Sequence, residues 1–272
     1  MEACVFCGNG GPWAPDEHVI PKWARRAFGI KGHITVSAST GGSPLEPVGR
    51  MPALNVVLRD AICQKCNNNW LGMLEKRTAR ILKAMAASAK PRVLSPADQA
   101  TVAFWAVKTG LLLELAIRQL YPGSRRIEGY KATPQEFAWL YAHREPPPRC
   151  MVWIGCWDCE QQVPVNYEPS AANLPTSDDT APIPGHLATY ALGYVAFQVF
   201  TVDFIAADKH QAPVWNREPP PAIAGALPRI WPPQLNPPDI EWPPPAFHHD
   251  AWKTLVTWDG ALRPHDRAQR PT

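Results

Sequence analysis

The chain has 272 residues, a hydrophobic fraction of 46% and a net charge of +3, which predicts a globular protein of one or two domains. The charge is unevenly distributed. Residues 1–90 hold 12 Lys and Arg against 6 Asp and Glu, whereas the remaining 182 residues hold 15 against 18. A polyanion would therefore dock on the first third of the chain.

The composition argues against membrane and secreted proteins. The strongest apolar stretch without a charged residue, Leu187 to Val202, has 16 residues and contains Gln198, so we expect buried strands there. The start, Met-Glu-Ala-Cys, has neither the basic residues nor the apolar run of a signal peptide. Seven cysteines in such a chain predict a reducing, cytoplasmic setting, where paired thiols bind metal more often than they form disulfides.

Two Cys-x-x-Cys pairs stand far apart in the first third: Cys4 with Cys7, and Cys63 with Cys66. Four thiolates are the ligand set of a closed tetrahedral structural zinc site, and two intervening residues let both sulfurs of a pair face one ion. The alternative is two reduced, buried pairs. The Gly8-Asn9-Gly10-Gly11 run suits a knuckle turn better than a core, so we favour zinc.

Between the two pairs, Asp16-Glu17-His18-Val19-Ile20-Pro21 places an acid beside a histidine, and Asn67-Asn68-Asn69 directly follows the last cysteine at a predicted helix start. An acid-His pair within a four-cysteine frame, closed by Cys-x-x-Cys-Asn, resembles the HNH endonuclease family of ββα-metal nucleases. The resemblance covers the first 80 to 90 residues.

This resemblance implies a metal-dependent endonuclease that hydrolyses DNA phosphodiester bonds. His18 would be the general base, and Glu17 and Asn67 would hold a catalytic Mg²⁺ or Mn²⁺, with the structural Zn²⁺ on the four cysteines. A neutral imidazole suits the first role because it titrates near physiological pH. Plainer readings of the same residues are a structural histidine, a surface carboxylate and a helix cap.

Two details of the motif stay open. Glu17 and His18 are neighbours and would point to opposite faces of a regular strand, so we expect a bend or bulge there. The family's middle Asn falls on Leu58 here. Either Asn55 is recruited through a bulge, Asn68 substitutes from the helix, or a backbone carbonyl orients His18.

The patterns predict the remaining elements of the first third. A short helix runs from Lys22 to Phe28 and ends at Gly29. His33 to Ser37 and Leu54 to Ile62 form a hairpin across a long loop. An amphipathic helix runs from Asn68 to about Ala87, with a basic outer face.

Ala89-Lys90-Pro91 marks a predicted domain boundary. Ser95-Pro96 caps a core helix to about Gln119, and Thr133-Pro134-Gln135-Glu136 is a capping box for a helix to about His143. Arg149 to Trp157 and Thr189 to Ile205 predict sheet, separated by a polar loop from Glu168 to Gly185. Three cysteines near the first of these lack a fourth ligand, so a reduced Cys-x-x-Cys is favoured over a second metal site: Cys150, Cys156 and Cys159.

The tail repeats Trp-Pro-Pro at Trp231 and Trp242, which predicts extended segments that lay indole rings on the core, or a partner-binding proline motif. Asp250 would cap a last short helix around Trp252 to Val256.

The sequence thus predicts an α+β chain: a zinc-stapled, treble-clef-like ββα-metal module at 1–90 and an α+β accessory domain at 91–272. The expected partner is DNA, in double-stranded form, with no membrane. The alternatives are a noncatalytic zinc module that binds nucleic acid or protein, and an enzyme whose chemistry lies in the second domain.

Overall fold

The structure is a computed structural model. It describes residues 2–14, 17–29, 33–40, 46–52, 56–86, 91–122, 132–157, 166–174, 183–210, 219, 221, 223–233 and 236–247. It is a mixed helix and sheet protein, as predicted.

The first part of the chain forms short strands and a long helical segment around the cysteines. A short helix begins within the second cysteine pair, and a π-helical turn separates it from the long helix that follows. These elements are β1 (Glu17–His18), α1 (Lys22–Ala27), β2 (His33–Thr40), β3 (Glu46–Pro52), β4 (Val57–Leu58), α2 (Gln64–Cys66), the π turn (Asn67–Leu71) and α3 (Gly72–Ala86).

The second part alternates helices and longer strands and ends in short strands of the proline-rich tail. These elements are β5 (Arg92–Leu94), α4 (Pro96–Leu120), α5 (Pro134–His143), β6 (Met151–Trp157), β7 (Asn166–Leu174), β8 (Ile183–Leu192), β9 (Val195–Val202), α6 (Phe204–Lys209), β10 (Arg229–Trp231), β11 (Ile240–Trp242) and β12 (Ala246–Phe247).

The helices follow their local signals. Ser95 accepts a hydrogen bond from the Asp98 amide at the start of α4, and Thr133 and Glu136 form the predicted capping box of α5. Gly29 has a φ of +62°, the left-handed conformation that ends a helix such as α1.

The predicted hairpin is wrong. His33–Thr40 pairs antiparallel with Glu46–Pro52, not with the segment from Leu54 to Ile62. Only five residues separate these two strands, and strands joined by short loops pair with each other. In the described part of the predicted second strand, from residue 56 onward, the strand is Val57–Leu58, and it pairs with β1.

The predicted polar loop from Glu168 to Gly185 is also wrong in part. It contains most of β7, which pairs with β8 from Tyr167↔Tyr190 to Leu174↔Ile183 and runs parallel to β2 on its other side. Two strand neighbours outweigh the low strand propensity of its Pro and Ser residues. The predicted sheet at Thr189 to Ile205 ends earlier, at Val202, because Asp203 caps α6.

Among the described residues, the large sheet has the strand order β10-β6-β9-β8-β7-β2-β3, with β12 added beside β6. Strands from both sides of residue 90 therefore share one sheet. The main hydrophobic cluster likewise extends from Cys4 to Trp242. The domain boundary at residue 90 stays a prediction, but the two parts are joined by a common core.

Helix α4 lies at the centre of this core. Trp105 is fully buried, and its ring lies 5.9 Å from those of Phe197 in β9 and Trp23 in α1. The Tyr190 hydroxyl donates to the Ala106 carbonyl at 2.7 Å, which ties β8 to α4. By length and composition, α4 is the one described helix able to cross a membrane. However, 83% of its most apolar segment is buried inside the protein, as in the core helix of a soluble protein.

The tail behaves as predicted at its two tryptophans. β10 pairs with β6 and β11 pairs with β5. Trp242 is buried and Trp231 is half-buried. The side-chain amide of Gln99 fastens the tail by donating to the carbonyls of Leu94 and Pro238. The predicted last helix and Asp250 lie outside the described residues.

Candidate metal and catalytic site

The two Cys-x-x-Cys pairs converge, as predicted. The four sulfurs lie within 4.8 Å of one another, and Cys7 Sγ is 3.6 Å from Cys63 Sγ. Four thiolates at about 2.3 Å from one tetrahedral zinc ion would be separated by about 3.8 Å. The arrangement therefore fits a structural zinc ion. We call these residues the cysteine cluster: Cys4, Cys7, Cys63 and Cys66.

Backbone contacts hold the two knuckles together. The Cys63 amide points to Cys4 Sγ and the Cys66 amide to Cys63 Sγ, each at 3.4 Å. The Gln64 amide donates to the Pro12 carbonyl at 2.9 Å, next to the bridge between Trp13 and Cys63. Amides that face sulfur stabilise a thiolate, as the outer shell of a metal site does.

Without metal, the thiols differ in acidity. Burial raises the pKa of Cys66 and Cys63. Burial also raises the pKa of Cys7, but hydrogen bonds from the Asn9 backbone and the other three thiols outweigh this and lower it. Because a bound metal requires thiolates, zinc affinity should fall as the pH is lowered.

The acid-His pair lies on β1, beside the strand that leads into the second knuckle. Glu17 pairs with Leu58 and His18 with Val57, and the Val19 amide donates to the Val56 carbonyl at 2.9 Å. This register is regular, so no bulge separates Glu17 from His18; the chain bends directly after the pair, at Val19 and Ile20. In a regular ladder the two side chains leave β1 on opposite faces.

The residues considered for the middle Asn have different outcomes. Leu58 is buried and cannot supply a polar group, and Asn55 lies outside the described residues. Asn68 is exposed and, together with Asn9 and Lys65, lines a hollow beside the first knuckle. Neither Glu17 nor His18 lines this hollow. The role of Asn68 stays a prediction.

Asn67 sits where α2 passes into the π turn. Its amide donates to the Cys63 carbonyl at 3.0 Å, and its carbonyl accepts from the Gly72 amide. It is half-buried. The hydrogen bonds described for Asn67 are those of its backbone, and its role as a metal ligand stays a prediction.

The structure adds two charged residues that the sequence reading missed: Glu75 in α3 and Lys108 in α4. Lys108 Nζ lies 3.4 Å from Glu75 Oε1, and the Lys108 side chain is 1% exposed. The pKa of Glu17 is raised from 4.5 to about 7: burial raises it most, the Lys108 charge lowers it and the Glu75 charge raises it. In the sequence, the signal of this buried ion pair was a single lysine among the apolar residues of the predicted core helix.

The outer face of α3 carries only positive charge. Its four exposed basic residues lack a carboxylate partner in the part of the chain that the structure describes. We call them the basic face: Lys76, Arg77, Arg80 and Lys83.

The second group of cysteines does not form a comparable cluster in the described residues. Cys150 is buried, and burial followed by the charge of Glu136 raises its pKa. Cys156 is half-buried in β6, and Cys159 lies outside the described residues.

Comparisons with models of known protein families, with curated proteins and with solved structures returned no match.

Proposed function

We propose that the protein is a metal-dependent endonuclease of the HNH type that hydrolyses DNA phosphodiester bonds. The observation that carries the proposal is the order of elements around the cysteine cluster. The strand with Glu17 and His18 pairs with β4, and β4 leads through Cys63 and Cys66 into α3. Strand, strand and helix beside four sulfurs is the arrangement that the resemblance to this family implies, with a treble-clef-like zinc site.

In this proposal His18 is the general base that takes a proton from the attacking water, through a ring nitrogen. The Glu17 carboxylate, with Asn67, holds the catalytic Mg²⁺ or Mn²⁺, which when bound neutralises the charge of the phosphoryl group and the leaving oxygen. Carboxylate and amide oxygens are the ligands that these hard cations prefer. The cysteine cluster binds zinc and fixes the start of the helix.

The basic face supports nucleic acid as the substrate. Four exposed cations on successive turns of α3 complement the phosphates of a polyanion. They belong to the helix that begins at the cysteine cluster. If the protein is not catalytic, the basic face serves only to bind nucleic acid.

The alternative function is a noncatalytic, zinc-stabilised module that binds nucleic acid. The regular β1 register favours it, because a regular strand separates the Glu17 and His18 side chains on opposite faces. The two functions share the zinc site and the basic face. They differ in whether His18 acts on water.

Plasmid cleavage separates them. Purified full chain with zinc bound should nick or cut plasmid DNA when Mn²⁺ or Mg²⁺ is added. His18→Ala should lower the cleavage rate by about 10² or more, because a general base contributes about that much, while Mn²⁺ and DNA affinities stay near those of the wild type. Glu17→Ala should instead raise the Mn²⁺ concentration needed.

His33→Ala is the matched control, since His33 is an exposed histidine of the same part of the chain. It should cleave at the wild-type rate. If the wild type leaves both single- and double-stranded DNA uncut but binds it, the noncatalytic function is the correct one. Undiminished cleavage by His18→Ala would keep the activity and reject this mechanism.

A further inference from the structure

A cleft lies between α3, α4 and the strand β10 of the proline-rich tail. The π turn and the residue that ends α5 complete its walls. Its volume of about 480 Å³ is that of a pocket for a small organic group. We call the residues that matter here the aromatic cleft: Trp70, Met73, Arg77, Phe104, Arg144 and Trp231.

The apolar part of the cleft has a rigid base and an accessible rim. The rings of Trp70 and Phe104 are stacked at 5.8 Å with an interplanar angle of 9°, and both side chains are buried. Trp231 is half-buried and Met73 is 55% exposed, so these two offer surface to a ligand. An indole and a thioether both make favourable contacts with flat aromatic groups.

Arg144 is held at this cleft in a backbone conformation that is uncommon for arginine. Its φ is +60° at the end of α5, where glycine or asparagine is the usual residue. Residues in such conformations cluster at ligand sites, where the side chain is needed.

The contacts of the Arg144 side chain fix its position. Its guanidinium carbon lies 4.5 Å from the centre of the Trp70 ring and 4.6 Å from that of Tyr141. Its Nη1 donates to the carbonyls of Leu140 and Tyr141. The side chain is exposed and a guanidinium has five N–H donors, so its other nitrogens are placed to bind an anion.

The charge around the cleft is positive. Arg77 and Arg144 stand against one carboxylate, that of Glu145. Arg77 also belongs to the basic face, whose other three cations lie outside the cleft on the same helix. The complementary ligand has a flat apolar group and a row of negative charges. A single DNA strand has both, whereas a free nucleotide would leave the rest of the basic face without a partner.

We propose that the aromatic cleft binds one unpaired base of a single DNA strand, with Trp231 and Met73 against the base and Arg77 and Arg144 on neighbouring phosphates. Every base has a π face, so such contacts are strong and independent of sequence. A base inside a duplex is excluded, because its faces are covered by the adjacent base pairs. This inference deepens the proposed function and rests on it in one respect, which is that DNA is the partner.

The test compares three labelled ligands: a short single strand, the same strand built of abasic residues, and a blunt duplex of the same sequence. The abasic strand keeps the phosphates and lacks the bases. Binding is measured by fluorescence anisotropy on the zinc-bound full chain, without Mg²⁺ or Mn²⁺, so that the DNA stays intact.

Trp231→Leu removes the indole and keeps an apolar side chain. It should weaken binding of the single strand about tenfold, as expected for the loss of one stacked base, and leave binding of the abasic strand and the duplex unchanged. Met73→Ala tests the same surface at an exposed position, so the result does not depend on the folding of Trp231→Leu. It should weaken binding of the single strand alone, by about threefold.

Arg144→Gly removes the guanidinium at a position whose backbone suits glycine. It should weaken binding of the single strand and of the abasic strand alike, about fivefold, because both present phosphates. The opposite ligand dependence of the Trp231 and Arg144 variants separates contact with the base from contact with the phosphates.

Each substitution has a matched control outside the cleft. Trp139→Leu replaces another half-buried tryptophan, and Arg149→Gly replaces another arginine with a left-handed φ, of +62°. Both controls should bind the three ligands as the wild type does. If Trp231→Leu and Met73→Ala weaken all three ligands equally or none of them, the side chains have a structural role only and the inference is overturned.

Competition identifies the occupant. Neither a mononucleotide nor a poly-glutamate peptide should displace the single strand at concentrations near the strand's own Kd. Displacement by the mononucleotide would assign the cleft to free nucleotides, and displacement by the peptide would assign it to acidic proteins. Either result overturns the single strand as the ligand.

The two levels of proposal fail separately. If base-dependent binding is lost in Trp231→Leu but the wild type cuts no DNA, the endonuclease function is wrong and the inference stands. If DNA is cut while the cleft variants bind all three ligands as the wild type does, the inference alone is wrong. A wild type that binds the abasic strand as tightly as the normal strand also rejects the inference.

Discussion

Glu17 is a carboxyl group whose burial costs folding free energy at neutral pH. Its pKa is raised from 4.5 to about 7, chiefly by burial. Between these values the folded protein keeps a proton that the unfolded chain has released. The free energy of unfolding therefore falls as the pH rises through this interval, and the loss is complete above pH 7.

Glu17→Gln should accordingly stabilise the protein in alkaline solution. We expect the variant to exceed the wild type by about 1 to 3 kcal/mol at pH 8, with the difference vanishing toward pH 4, because both forms are then uncharged at this position. Urea unfolding of zinc-bound protein without other divalent ions measures this. Glu241→Gln, at an exposed position in β11, is the control and should show no such trend. If Glu17→Gln is less stable than the wild type at pH 8, burial of the Glu17 carboxylate does not cost folding free energy.

At the residue scale, the sequence predicted what local spacing determines. The two Cys-x-x-Cys pairs predicted that the four cysteines converge. The Pro-Ala-Asp sequence that follows Ser95 predicted that Ser95 caps a helix. The pair of Glu75 with Lys108 did not follow, because the two residues lie 33 positions apart on different helices. Such a contact depends on how the helices pack, which no local pattern encodes.

At the element scale, we expect the short helix after Cys63 to depend on metal binding by the cysteine cluster. Cys63 caps α2, its sulfur lies 3.6 Å from that of Cys7, and its amide faces Cys4. Metal-binding free energy is folding free energy in small units of this kind.

Cys63→Ser should therefore release most of the zinc and unfold the elements around the cluster. Zinc content by elemental analysis should drop well below one ion per chain, and amide hydrogen exchange should accelerate in residues 2–14 and 61–71. Cys156→Ser is the control, since this half-buried cysteine lies outside the cysteine cluster. Retained zinc and unchanged exchange in Cys63→Ser would show that the four sulfurs are not a metal site.

Strand pairing is where element prediction failed, and for a physical reason. The position of β2 was correct, but its partner was chosen by resemblance to a hairpin and not by chain proximity. β7 was missed because its composition is that of a loop and its stability as a strand comes from β2 and β8 on either side. Helices α1, α3, α4 and α5, whose hydrogen bonds are local, were predicted to within a few residues, whereas the short helix α6 was missed.

At the scale of the whole molecule, the first 90 residues and the rest share structure but differ in charge. The common sheet and the common hydrophobic cluster join them. The net charge is nonetheless +6 in residues 1–90 and −3 in the remainder. A polyanion approaching the protein should thus be attracted to the surface of the first 90 residues, which includes the basic face.

The salt dependence of DNA binding tests this orientation. Binding is measured without added Mg²⁺ or Mn²⁺, so that the DNA stays intact, over about 50 to 200 mM salt. Each phosphate contact that is removed should make the slope of log K against log salt shallower by about 0.9, so replacing all four residues of the basic face by Gln should change it by up to about 3.6. Lys209→Gln is the control, because Lys209 is an exposed lysine in the acidic part of the chain. It should leave the slope unchanged. The zinc content of each variant must match that of the wild type for the comparison to hold. Equal slopes for the wild type and the four-residue variant would then place the nucleic acid elsewhere on the surface.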